Sequence, residues 1–174
     1  MPSFPTELLH PWHDFFAFMG TAAATLIGAM FVVASIGGGF LTRDRAPEIR
    51  AFLTPTVVHL ATILLGCAVM LVPGLEAPNL FTLLALGGLG GLIYSGVVGA
   101  RLVRRRIDLA DRTWYAAVPV AGYAVILVAA VMIALHVPAS PHTFAGGLAL
   151  LLIAGIRNAW DLILFFVAQS RVPN

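Results

Sequence analysis

The amino-acid sequence predicts an all-α protein: a polytopic membrane helix bundle of five transmembrane helices, with the N-terminus outside and the C-terminus inside. Three observations predict it. Of 174 residues, 60% are hydrophobic and 10% charged, and the mean hydropathy is +0.95; soluble domains run about 25% charged. Five apolar runs are each long enough to cross ~30 Å of hydrocarbon at ~1.5 Å per residue. The arginines alternate between connections, rich in one and missing from the next. A run of this kind must satisfy its backbone N–H and C=O groups internally, and helix is the state that does so within one segment.

In chain order, residues 1–14 read as an interfacial segment, broken by Pro2, Pro5 and Pro11, with Trp12 at headgroup level. The five spans follow at about 15–40, 52–75, 80–103, 114–137 and 145–168, making one transmembrane domain over 15–168, and 169–174 form a cytoplasmic tail. The first loop carries Arg43, Arg45 and Arg50, the third Arg104, Arg105, Arg106 and Arg112, and the tail Arg171. The second and fourth loops and the N-terminal segment carry no Lys or Arg. The positive-inside rule therefore places the first and third loops in the cytoplasm. Arg101, Arg104, Arg105 and Arg106 form a juxtamembrane cluster suited to anionic lipid.

The segment Trp12-His13-Asp14-Phe15-Phe16, then Gly20 to Gly28, then Phe31-Val32-Val33-Ala34-Ser35, resembles the opening of a group of small bacterial integral membrane proteins, some labelled "modulator of FtsH protease". The resemblance covers residues 12–35. It implies a compact multi-pass protein of the bacterial inner membrane and supplies no functional residues.

Small residues mark where helices approach closely. Gly20, Ala24 and Gly28 recur every fourth position on the first helix, and Gly87, Gly91, Ser95 and Gly99 on the third. Such ridges serve packing within the bundle, self-association into a homo-oligomer, or docking on a larger membrane complex.

The last span holds Arg157, Asn158 and Asp161, with Arg157 and Asp161 four residues apart on one face. Ionised groups at the bilayer centre cost roughly 2.5–3.5 kcal/mol each on insertion scales, so partners are expected. Counting inward from the cytoplasmic helix ends puts His59 at ~12 Å, Tyr94 and Tyr123 at ~13 Å, Asp161 at ~10 Å and Arg157 at ~16 Å. The expectation is an intramembrane polar layer of His59, Tyr94, Tyr123, Arg157, Asn158 and Asp161. It reads either as a structural ion pair or as a proton or ion path.

Outside, His10, His13, His136 and His142 are weak metal candidates, because imidazoles suit zinc or copper but no ligand spacing fixes a geometry. The lone Cys67 makes no intrachain disulfide. Met1 to Glu7 lacks a positive n-region and an apolar h-region, so no signal peptide is expected. No nucleophile elbow, zinc-protease helix or phosphate loop appears, so neither an enzyme nor a cofactor is expected. Without a soluble domain, nucleic acid is not an expected partner. The sequence thus favours an oligomeric channel or a proton/ion-coupled carrier. The alternatives are a non-conducting accessory or chaperone subunit of a larger complex, or an outer-face metal-binding protein.

Overall fold

Apolar runs that must satisfy their backbone groups internally fold as helices, and the computed structural model consists of them. It describes residues 5–38, 46–104 and 113–170, and no strand occurs among these. The arginines at 43, 45, 105, 106, 112 and 171 lie outside the described residues.

A helical turn at Thr6–Leu9 and a 3-10 turn at His10–Trp12 lead into α1, His13–Gly38. Next come α2 at Ala46–Met70 and α3 at Ala77–Arg104. A π turn at Thr113–Ala117 opens into α4, Val118–Ala134, and α5 runs over Ser140–Ser170. Five of the helical segments among the described residues are long and apolar enough to cross a membrane. The chain is therefore suited to a multi-pass membrane protein.

The helix ends differ from the apolar runs for local reasons. α2 begins at Ala46, not near 52, since Glu48 and Arg50 are good helix formers that an apolar count passes over. Pro55 is consequently inside α2 and not in its first turn, and it deprives one backbone carbonyl of its donor. α2 stops at Met70, where Pro73 and Gly74 follow and Gly74 takes φ +69° in the turn. α5 begins at Ser140, with Pro141 in the first turn, where its missing N–H leaves no bond unmade.

Extensive packing joins α4 to both α3 and α5, α2 to α5, and α1 to α2, with a lesser contact between α2 and α3. Four helices, α2 to α5, close around one interior, and α1 lies outside against α2. Small residues set these approaches. A Cβ on Gly20 would stand 3.3 Å from the Cβ of Cys67, and one on Gly99 2.9 Å from that of Ala116. The α4–α5 crossing rests on Gly122 and Gly147: a Cβ on Gly147 would stand 3.0 Å from the carbonyl oxygen of Gly122. The glycine ridge of α3 divides. Gly91, Ser95 and Gly99 turn inward, while Gly87, Gly90 and Gly96 meet nothing within 4 Å. On α1, Gly20 is buried but Ala24 and Gly28 are exposed.

The interior nearest His10, His136 and His142 is filled mainly by apolar side chains, Phe16, Ile63, Ile126, Ile133, Phe144 and Leu148, with the buried hydroxyl of Ser140 at its edge. We call this the histidine end. The opposite end, where α1 and α3 finish and α2 and α4 start, is the arginine end. Phe31, Leu65, Leu86, Ile93 and Leu135 are exposed around the outside, a surface that water would not tolerate but hydrocarbon would.

Candidate functional site

His59 on α2 and Tyr123 on α4 meet in the interior, almost fully buried, with His59 Nδ1 3.0 Å from the Tyr123 hydroxyl. Tyr123 can lie there because its ring packs flat on the backbone of Gly91, where any Cβ would overlap it. Thr62, one turn along α2 from His59, completes the cluster with its hydroxyl 3.2 Å from that of Tyr123.

Proton accounting fixes the tautomer. The Thr62 hydroxyl donates to the Val58 carbonyl at 2.9 Å, which uses its one hydrogen. Between Thr62 and Tyr123, the donor is therefore Tyr123. Its hydrogen being committed, the Tyr123 oxygen accepts from His59, so His59 carries its proton on Nδ1. The other ring nitrogen, Nε2, keeps its lone pair, and it is buried with no hydrogen-bond partner among the described residues.

Three more polar side chains share this condition, one of them Ser140 Oγ at the start of α5. Asn158 on α5 is 1% exposed, and both its amide nitrogen and amide oxygen lack partners among the described residues. Ser95 Oγ on α3 is likewise buried and unpartnered. By the antiparallel register that sets Gly91 against Tyr123 and Gly99 against Ala116, Ser95 comes level with Pro119. An unpartnered polar group away from water costs roughly 1–3 kcal/mol, so four such residues in one bundle ask for a cause.

Arg157 and Asp161 form an ion pair on α5; with Gly155 opposite Leu60, Arg157 comes level with Val58 and Asp161 lies about 6 Å nearer the arginine end. The Tyr115 hydroxyl donates to Asp161 Oδ2 at 3.5 Å, and Tyr115 belongs to the turn that starts the fourth span. Tyr123 is eight residues further in, ~12 Å deeper. The single layer counted from sequence is thus resolved into two levels. The cause is the length of α5: 31 residues span ~46 Å, more than the ~30 Å of hydrocarbon. A depth counted inward from its far end overstates how deep its residues lie. The side chains of the pair are 42% and 25% exposed, so the pair lies at the surface of the bundle and not in its core. Tyr94 is half-buried on α3.

Sequence reasoning missed Thr62, Thr56 and Tyr115. Thr62 had a signal, its three-residue spacing from His59 on one helical face. Tyr115 had none, because only the chain's return over α5 brings it to Asp161.

At the histidine end, His142 stacks edge-on against Trp12 with centroids 4.6 Å apart, and His13 Nδ1 is 3.2 Å from Asp14 Oδ1. His10 is exposed, and His136 takes a left-handed backbone, φ 58°. Among the described residues, no group of three or more His, Cys, Asp or Glu could hold a metal ion. An open cleft of about 740 Å³ lies here, between the N-terminal turns and the α2–α3 turn, lined by Pro5, Leu9, His10, His13, Val72 and Leu80 among others.

The polar groups follow one another along the bundle from Thr62 and Tyr123 through His59 and Asn158 towards Asp161, which is paired with Arg157 on the outer surface of α5. Comparison with protein families, with curated proteins and with solved structures gives no match for the chain.

Proposed function

We propose that the chain is a small proton permeation protein of carrier type, in which His59 is the group that takes up the proton. One observation carries the reading: the Nε2 lone pair of His59 is buried without a partner, one helix turn or so above a polar rim. A neutral imidazole with one nitrogen committed and the other free is a proton acceptor in waiting. Tyr123 and Thr62 hold the ring so that an arriving proton has one place to bind. Beyond them the core is built of apolar side chains up to the buried Ser140 at the histidine end. That favours a carrier, opening to each side in turn, over a standing pore.

The positive-inside rule makes the arginine end cytoplasmic, so His59 takes protons from that side. The membrane is then the bacterial cytoplasmic membrane, with anionic lipid gathered at Arg101 and its neighbours. A second reading, a non-conducting accessory subunit, draws on Gly28, Gly87, Gly90 and Gly96, which face outward with nothing within 4 Å. These would let another chain or a second copy approach closely.

The test is proton movement into liposomes holding the purified protein and a trapped pH-sensitive dye, driven by a potassium diffusion potential. We expect acidification that His59→Gln abolishes while leaving the melting temperature within a few degrees. Equal acidification in His59→Gln overturns the reading; none in the wild type favours the accessory subunit.

A further inference from the structure

Between the rim and the base lies a gap that side chains alone do not bridge. Gly155 on α5 faces Leu60 on α2, where an added Cβ would be 3.1 Å from Leu60 Cδ2. The helices run antiparallel, so Asn158 comes level with Thr56 and Val57, and Asp161 with Leu53 and Thr54. His59 is thus ~8 Å from Asp161 along the bundle axis, and Asn158 is about midway. A hydrogen bond reaches only ~2.8–3.0 Å, so no direct step connects His59 to Asp161.

Asn158 has two donors and an acceptor unpartnered among the described residues, and His59 Nε2 is unpartnered beside it. Thr56, on the same level, is buried too. Every one of these groups is neutral, and the nearest charge, Asp161, is already paired with Arg157. A neutral site of mixed donors and acceptors does not compensate a bare metal ion; it suits water, which needs 2–4 polar partners.

We propose that Asn158 is a water-binding node inside the bundle, holding a short file of water that joins Asp161 at the rim to His59 Nε2. The file accepts a proton at the rim. The last water then gives one up: its O–H bond breaks, an N–H bond forms at Nε2, and neutral water remains while His59 becomes an imidazolium still bonded to Tyr123. Asn158 takes no proton itself; it positions the water. This inference rests on the proton reading for its use, but the hydration itself can be measured separately.

The experiment is water-edited solid-state NMR on liposomes holding protein labelled with 15N-histidine and 15N-asparagine, assigned by His59→Gln and Asn158→Leu. In the wild type, magnetisation from water should reach the Asn158 side chain and His59 as fast as it reaches exposed His10. In Asn158→Leu the transfer to His59 should slow at least about fivefold, since apolar cavities stay dry, and Asn158→Ser should keep most of it. Slow transfer to His59 in the wild type, or an unchanged rate in Asn158→Leu, overturns the proposal. If Asn158→Leu fails to fold, the wild-type rate decides. Proton flux measured alongside separates the two ideas: a wet His59 without flux removes only the permeation reading, and flux with a dry His59 removes only the water file.

Discussion

Arg157 and Asp161 are the residues the sequence advertises most loudly, yet their position makes them less consequential for stability than their charge suggests. With 42% and 25% of their side chains exposed and Tyr115 as a neighbour, they sit at the surface of the bundle and not in its packed core. Removing one partner of a fully buried pair costs ~3–5 kcal/mol, whereas a solvated pair contributes ~0–1 kcal/mol. Asp161→Ala should therefore lower stability by about 1 kcal/mol or less, read as a shift of a few degrees in detergent melting. A loss as large as that of a buried pair would return the residues to the core. Proton uptake should still suffer in Asp161→Ala, because the carboxylate next in line after Asn158 is lost while the interior is untouched. His59 and Asn158 have the opposite profile: each is quiet in the sequence and costly in the fold. Their burial is set by which face of α2 and α5 turns inward, and a lone His or Asn in an apolar run does not declare that.

At the scale of the element, α3 shows how one helix serves two surroundings. Gly91 lies under the Tyr123 ring, and Gly87, one turn away, meets nothing. Gly91→Ala must push the ring off its seat, because a Cβ would overlap it, so Tyr123 loses its reach to His59 and Thr62. We expect Gly91→Ala to destabilise the bundle by at least ~1–3 kcal/mol, the range for overpacking, and to abolish proton uptake along with it. Gly87→Leu should leave the melting temperature of the single chain unchanged. Gel filtration in mild detergent then reads the outer face directly: a change in assembly size with Gly87→Leu identifies that face as an interface, and an unchanged size assigns it to lipid. The ridge spacing was legible in the sequence, but its division was not. The α4–α5 seam of Gly122 and Gly147 went unread, because neither glycine belongs to a ridge of every-fourth small residues like that of α3, and each acquires meaning only opposite the other.

For the whole molecule, orientation is the quantity on which function turns, since it says which compartment supplies protons to His59. Cysteine labelling in a Cys67→Ala background checks it. A cysteine at Pro73, in the exposed α2–α3 turn, should react with an impermeant reagent added outside intact cells. One at Arg112 should react only after permeabilisation. The reverse pattern would turn the proton path around without altering its chemistry.

The sequence by itself determined the helical state and the number of spans. Both follow from composition and from the backbone's need for internal hydrogen bonds in hydrocarbon, which each run settles alone. It also singled out every polar residue of the path except the threonines and Tyr115. What it did not carry was the inner face of each helix. In water an apolar stripe marks that face; in lipid both faces are apolar, so the pattern along Val118–Ala134 hardly distinguishes inside from outside. Only the packed structure decided that Tyr123 faces His59 over Gly91 and that Asn158 is buried while Arg157 beside it is not. It also decided that the ion pair lies at the surface of the bundle and not in its core. Each depends on the register of two helices against each other, and register is a property of the pair.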